Sequence, residues 1–304
     1  IIQTGHEVRI EKLFSEYKTW LKDKGLEGKR AFMVELKQYA SYYVEFPSGQ
    51  DFNQITFNEH EKRFFHLLEN LSITTAYPLV LYLYKTVADK AILAAMLRIL
   101  EAYLVRRNVC RLTTKNYNQL FMQIINSLAR IRDSKGSLES ADLRGVLAAF
   151  ADDSTRVPSN AEFKAAFATE TLSNRNSREI LFCLALHHSG NGLNDMQRLS
   201  LSDFSVEHMM PRSWEANWTT RQMDADEKAL RNWKLRTLGN LTLVTKKLNS
   251  AMQNSAWNQK RDFLRPNSAL RMTTEYLGLA AWDETTIDSR AGDLATTALA
   301  IWPF

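Results

Sequence analysis

Apolar positions recur at three- and four-residue steps through most of the first two hundred residues. Leu13, Phe14, Tyr17, Trp20 and Leu21 fall on one helical face, as do Phe32, Leu36, Tyr39, Ala40 and Tyr43. The same period predicts helices over 58–71, 78–84, from Asp89 to about 107, and over 114–131, 138–150, 161–168 and 178–187. Gly-, Ser-, Asp- and Pro-bearing stretches at 22–28, 46–50, 133–137, 152–158 and 189–192 separate them. Such short separators predict antiparallel neighbours in a compact bundle.

The pattern changes after Gly192. Residues 202–207 have the brevity and partial alternation of a strand. A Trp-rich excursion over 211–239 follows, with a short helix expected at 225–233, and 241–245 alternates as a second strand. From Lys246 to about 264 the chain reads as one helix ended by Pro266. A final helix over 282–304 carries the apolar tail Ile301-Trp302-Pro303-Phe304, expected to dock back on the fold. The expectation is a mainly α protein: a helical scaffold over 1–198, then a small ββα unit with a C-terminal helix over 199–304.

Composition narrows the class without changing this picture. At 45% hydrophobic and 24% charged residues the 304-residue chain is an ordinary globular one. No apolar run approaches the roughly 20 residues that cross a bilayer, and the first residues lack the basic-then-apolar start of a signal peptide. The chain begins with Ile rather than Met and reads as a piece of a longer protein. Two isolated cysteines, Cys110 and Cys183, read as buried thiols in a reducing, cytoplasmic compartment. Arg106 and Arg107 end an apolar helix and would complement its negative dipole. His187 and His188 point about 100° apart on a helix, cannot easily share a metal, and read as caps or surface residues.

Charge changes the picture more. The net excess is +5, but the stretch from Lys228 to Arg271 holds ten Lys or Arg against one acid, Asp262, a local net of +9. Such a block attracts polyanions and releases counterions when it binds them, which points to nucleic acid.

Chemistry-bearing residues flank and enter this block: Glu207-His208-Met209-Met210-Pro211, then Leu238-Gly239-Asn240-Leu241, then Leu248-Asn249-Ser250. Phosphodiester hydrolysis needs an activated water, charge neutralisation on the phosphate and stabilisation of the leaving 3′-oxygen. A neutral imidazole takes a water's proton near pH 7. A hard divalent cation with one or two protein oxygens holds the phosphate, and an Asn clamps a loop through both ends of its amide. In this reading His208 is the general base and Asn240 orients the loop that carries it, while Asn249 and Glu207 are candidate ligands of Mg²⁺, Mn²⁺ or a similar ion. Lys246, Lys247, Lys260 and Arg261 would meet the DNA backbone. Each has a plainer reading alone, as a surface pair, a Gly-Asn turn or a helix cap; the joint order carries the reading.

Together with Trp214, Asn254 and Lys260, and with the ending Trp282, Ile287, Arg290, Leu294 and Ile301-Trp302-Pro303, these motifs resemble the C-terminal HNH-type (His-Me finger) endonuclease domain of the GmrSD family. That family contains modification-dependent type IV restriction enzymes and phosphorothioation-linked defence nucleases. The stretch from Leu100 through Arg106-Arg107 to Cys110 resembles it more weakly. The resemblance implies a bacterial anti-phage nuclease that nicks or cuts DNA with a divalent ion. It also implies an N-terminal ParB-like, nucleotide-hydrolysing sensor, to which nothing in this chain is similar. Many HNH enzymes carry Asp before the His and a His at the last position; here these are Glu207 and Asn249, and Glu207 is the least secure ligand. A DNA-binding module without activity of its own, and an RNA-directed nuclease, share the basic block with this reading.

Overall fold

The computed structural model describes residues 10–190, 198–218 and 222–304. The expected turn at 189–192 falls partly outside them. Helices form close to where the periodicity places them: α1 (Leu13–Lys22), α2 (Leu26–Val44), α3 (His60–Asn70), α4 (Tyr77–Thr86), α5 (Lys90–Val109), α6 (Tyr117–Lys135), α7 (Ser140–Ala148), α8 (Asn160–Thr169) and α9 (Asn174–Gly190). Local chemistry sets their ends. Asp89 Oδ1 accepts from the backbone N–H groups of Ala91 and Ile92 and opens α5. Ser159 and Glu162 form a reciprocal capping box on α8. Gly136, at φ +83, closes α6 in the left-handed conformation that glycine adopts without penalty.

The chain divides into two compact units. The first gathers residues up to Pro47, Ser72–Leu100 and Thr113–Val157. Its buried core runs through Leu79 and Leu83 of α4, Met96 and Leu97 of α5, Leu120, Ile124 and Leu128 of α6, and Leu143 and Leu147 of α7. Although α1 and α2 have the expected period, none of their residues is buried, and Leu13, Phe14, Val34 and Val44 are exposed.

The second unit comprises Ser48–Leu71, Glu101–Leu112 and Pro158–Phe304. This division differs from the expected break at 198: α3, the end of α5, α8 and α9 all belong with the C-terminal part. Buried charge explains why. Arg63 pairs with both oxygens of Glu101 at 2.9 and 3.1 Å, and Trp302 Nε1 donates to Glu101 at 2.8 Å. Arg106 donates to the carbonyls of Trp302 and Pro158 and to Asn160 Oδ1 at 2.6–3.0 Å. Arg106 and Arg107, in the last turn of α5, are interior residues. The C-terminal tail docks as expected, through Trp302.

Within this unit β1 (Phe204–His208) and β2 (Leu241–Thr245) pair antiparallel, with Glu207 opposite Thr242 and His208 opposite Leu241. Helix α9 packs on both strands, and so does α11 (Lys246–Met252). The single helix expected over 246–264 is two. Gln253 takes φ +39, and α12 (Trp257–Asn267) starts afresh, with Pro266 inside its last turn rather than beyond it. The break is held by the Trp-rich excursion: Asn217 donates to the Asn254 carbonyl and Trp218 Nε1 to the Ser255 carbonyl. Helix α10 (Ala225–Lys234) lies in that excursion; α13 (Arg271–Thr274) and α14 (Glu284–Ile301) complete the chain. Met209, Met210, Trp214, Trp218, Trp257 and Trp282 share one apolar core behind the strand ends.

Candidate active site

The site is built at the end of β1, where His208 is the last paired residue. Side chains alternate across a strand, so Glu207 and His208 leave it on opposite faces. Asn240, fully buried, holds the chain that follows. Its Oδ1 accepts from the Met210 N–H at 2.9 Å and from Trp282 Nε1 at 3.0 Å, and its Nδ2 donates to the carbonyls of Met210 at 2.9 Å and Leu235 at 3.0 Å. The Met209 N–H donates to the Asn240 carbonyl at 2.9 Å. Both ends of the amide are thus engaged, and the residues after His208 have one backbone path. Asn240 is itself fixed from behind. Arg290, fully buried, donates to the carbonyls of Leu238, Gly239, Leu241 and Met272 at 2.8–3.3 Å. Burial pushes its guanidinium down to about 10.

The His208 imidazole is half-buried, and Arg212 Nε donates to its Nε2 at 3.4 Å. A guanidinium only donates, so Nε2 is the lone-pair nitrogen and the neutral ring carries its proton on Nδ1. Burial first, then the positive charges of Arg212, Lys260 and Arg236, push the imidazole down to about 4. At pH 7 the ring is therefore neutral and able to accept a proton.

Asn249 lies on α11 and reaches back to β1: its Nδ2 donates to Ser205 Oγ at 3.0 Å and to the Val206 carbonyl at 3.1 Å. These bonds orient the amide and leave Oδ1 with no hydrogen bond among the described residues. Glu207 is placed differently. Its buried carboxylate pairs with Lys260 Nζ, which also donates to the His208 carbonyl at 2.7 Å. Burial is the largest influence on both partners, raising Glu207 above the ordinary carboxylate range and lowering Lys260 below that of an ammonium.

The structure thus places His208 and Asn240 at the end of β1, sets Asn249 against Ser205 and Val206 of the same strand, and ties Glu207 and Lys260 to each other. Lys260, expected on the DNA-binding surface, is 0% exposed; its ammonium anchors β1 from within and cannot meet a phosphate. Arg261 is half-buried and donates to the Leu279 carbonyl at 3.2 Å. Lys246 and Lys247 are exposed in the first turn of α11. Cations there oppose the helix dipole, so their placement answers to something other than the helix's stability.

His208 opens into a cleft of about 360 Å³, lined also by Thr171, Leu172, Asn174, Ser177, Arg212, Arg236 and Leu241. Sequence reasoning gave no role to Arg212, Arg236, Asn174 or Ser177, the four polar ones that bear on the chemistry. Arg212 stands four residues after His208 and Arg236 lies in the basic block, so spacing and charge were available signals. Asn174 and Ser177 lie more than thirty residues upstream on α9 and carry none.

No curated protein matches the chain. A family model does match, that of the GmrSD restriction endonucleases, C-terminal domain, over residues 157–297. The match begins where the long segment of the second unit begins and takes in every site residue named above. The weaker likeness of 100–110 lies outside it. Over residues 157–297 this chain is therefore similar to the C-terminal domain of the GmrSD restriction endonucleases.

Proposed function

We propose that the chain is a metal-dependent DNA endonuclease of the HNH type, in which β1, β2 and α11 form the ββα catalytic unit. The observation that carries this reading is His208 itself: a neutral imidazole at a strand end, its lone-pair nitrogen beside Arg212, lining a cleft in which no described residue is a carboxylate, and the chain beyond it clamped by Asn240. No binding surface needs an imidazole held in this way.

Among the described residues no three His, Cys, Asp or Glu side chains cluster as a metal cage. The donor set nonetheless fits a hydrated hard cation such as Mg²⁺ or Mn²⁺, which keeps most of its waters and takes one or two protein oxygens beside those of the phosphate. Asn249 would supply Oδ1; Glu207, paired with Lys260, does not fit. The bound cation would neutralise charge on the phosphate and on the leaving 3′-oxygen.

His208 Nε2 takes a proton from a water as the water's oxygen bonds to phosphorus and the bond from phosphorus to the 3′-oxygen breaks. For this, water replaces the Arg212 N–H at Nε2. Asn240 keeps the ring on one line of approach by fixing the backbone of Met210, and Asn249, tied to Ser205 and Val206, links α11 to the same strand. Lys246, Lys247 and the outer face of Arg261 meet the DNA backbone. As the family is one of restriction endonucleases, the role is cytoplasmic anti-phage defence. The family resemblance implies that an N-terminal ParB-like domain supplies the sensing of modified or phosphorothioated DNA.

The test is nicking of a supercoiled plasmid with and without Mg²⁺ or Mn²⁺. His208→Ala should fall by about 10² to 10⁴ in rate with its circular dichroism unchanged, the range for loss of a general base. Equal cleavage by that variant removes His208 as the base. Salt-sensitive DNA binding with no cleavage in any divalent ion makes the chain a binding module, and preference for a structured RNA over plasmid redirects the activity. Asn249→Ala should shift the metal titration to higher concentration.

A further inference from the structure

The cleft beside His208 carries positive charge that none of the described residues lining it balances. Arg212 and Arg236 both line it, no lining residue is a carboxylate, and Arg236 makes no side-chain hydrogen bond or ion pair among the described residues. The N-terminus of α9 enters the same cleft through Asn174. Helix N-termini present N–H groups without intrahelical acceptors and a partial positive charge. A backbone bridge between Thr171 and Thr237 pins the entry to α9 beside Arg236. Deeper in the wall stands Ser177, 1% exposed, whose Oγ has no hydrogen-bond partner. A buried hydroxyl without a partner is costly, and few remain so in native proteins. Ser177 is one of the residues that line the cleft.

On the reading that the chain cuts a nucleic acid, we propose that this wall is a phosphate subsite. In it Arg236, Arg212, Ser177 Oγ and the first turn of α9 take a backbone phosphodiester of the strand held against His208. The anion supplies the acceptor that Ser177 lacks and balances both guanidinium groups. It also draws Arg212 from His208 Nε2, opening that nitrogen to water, so that substrate uncovers the base.

Metal-free protein titrated with inorganic phosphate, and separately with a dinucleoside monophosphate, tests this without requiring cleavage. The amide ¹H–¹⁵N signals of Asn174, Arg175 and Ser177 should shift saturably with both ligands. Arg236→Gln should weaken each about tenfold, as expected for loss of a charge-assisted hydrogen bond. Ser177→Ala should weaken each about threefold, and Lys37→Gln in α2 should leave both unchanged. Because Ser177 is interior, the exposed Arg236 carries the test if the serine variant does not fold. In plasmid nicking Arg236→Gln should raise KM more than it lowers kcat. Absence of saturable shifts at α9, wild-type affinity in Arg236→Gln, or binding of free phosphate without the diester each overturns the subsite. Diester binding as described, with no nicking in any divalent ion, would keep the subsite and remove the nuclease reading. Nicking with an unmoved Arg236→Gln would do the reverse.

Discussion

His208 and Glu207 are neighbours in sequence with opposite surroundings, and both can be tested by protonation. Burial and three cations hold the His208 imidazole at about 4. A base works when neutral, so the acid limb of kcat/KM for nicking should lie well below the ordinary histidine value of about 6.5. An acid limb near 6.5 in the free enzyme would show a ring that the cleft does not desolvate. The sign for stability follows. Between about 6.5 and 4 the unfolded chain binds a proton that the folded one refuses, so stability present above 6.5 is lost as pH falls through that window. Glu207, by contrast, neutralises Lys260 in the interior. Glu207→Gln should cost on the order of 3–5 kcal/mol by leaving an ammonium buried without its partner, and the double change with Lys260→Met should recover much of it. Thermal unfolding of the three proteins checks this. A stable Glu207→Gln with weakened metal response would instead return Glu207 to the ion.

At the scale of elements, the turn between α10 and β2 sets the site. Gly239 is required there because a Cβ would lie 2.2 Å from the Ile287 carbonyl oxygen of α14. Gly239→Ala must push the 238–240 turn or α14 aside, at about 1–3 kcal/mol, and Asn240 moves with it. Melting temperature and nicking rate should fall together; unchanged values would mean that α14 yields freely. The helices and both strands were legible because each follows from local periodicity: β2 lies at 241–245 as expected, and α3 through α8 start and end within a few residues of it. The break between α11 and α12 was not legible. Nothing within 246–264 marks it strongly; its partners, Asn217 and Trp218, are more than thirty residues away.

For the whole molecule, the 198 boundary has a direct consequence. A fragment of 199–304 would lose α9 from both strands, and from Trp302 it would lose Arg106 and Glu101, the latter with its partner Arg63. We expect it to melt without a cooperative transition, whereas the intact chain melts with one for the second unit; calorimetry on both decides. A cooperative 199–304 would restore the boundary that the change in hydrophobic pattern indicates.

The sequence by itself determined the helical character, the two short strands, the basic block and the order of His208, Asn240 and Asn249. These rest on periodicity, charge count and spacing, which act over a few residues at a time. Tertiary structure alone decided which polar groups line the His208 cleft and which face each other. Glu207 and Lys260 became a buried pair, Arg106 an interior tie, and Ser177 with Arg236 one wall of the His208 cleft. Burial and pairing depend on what the fold brings from distant positions, and the low-dielectric interior makes those encounters decisive.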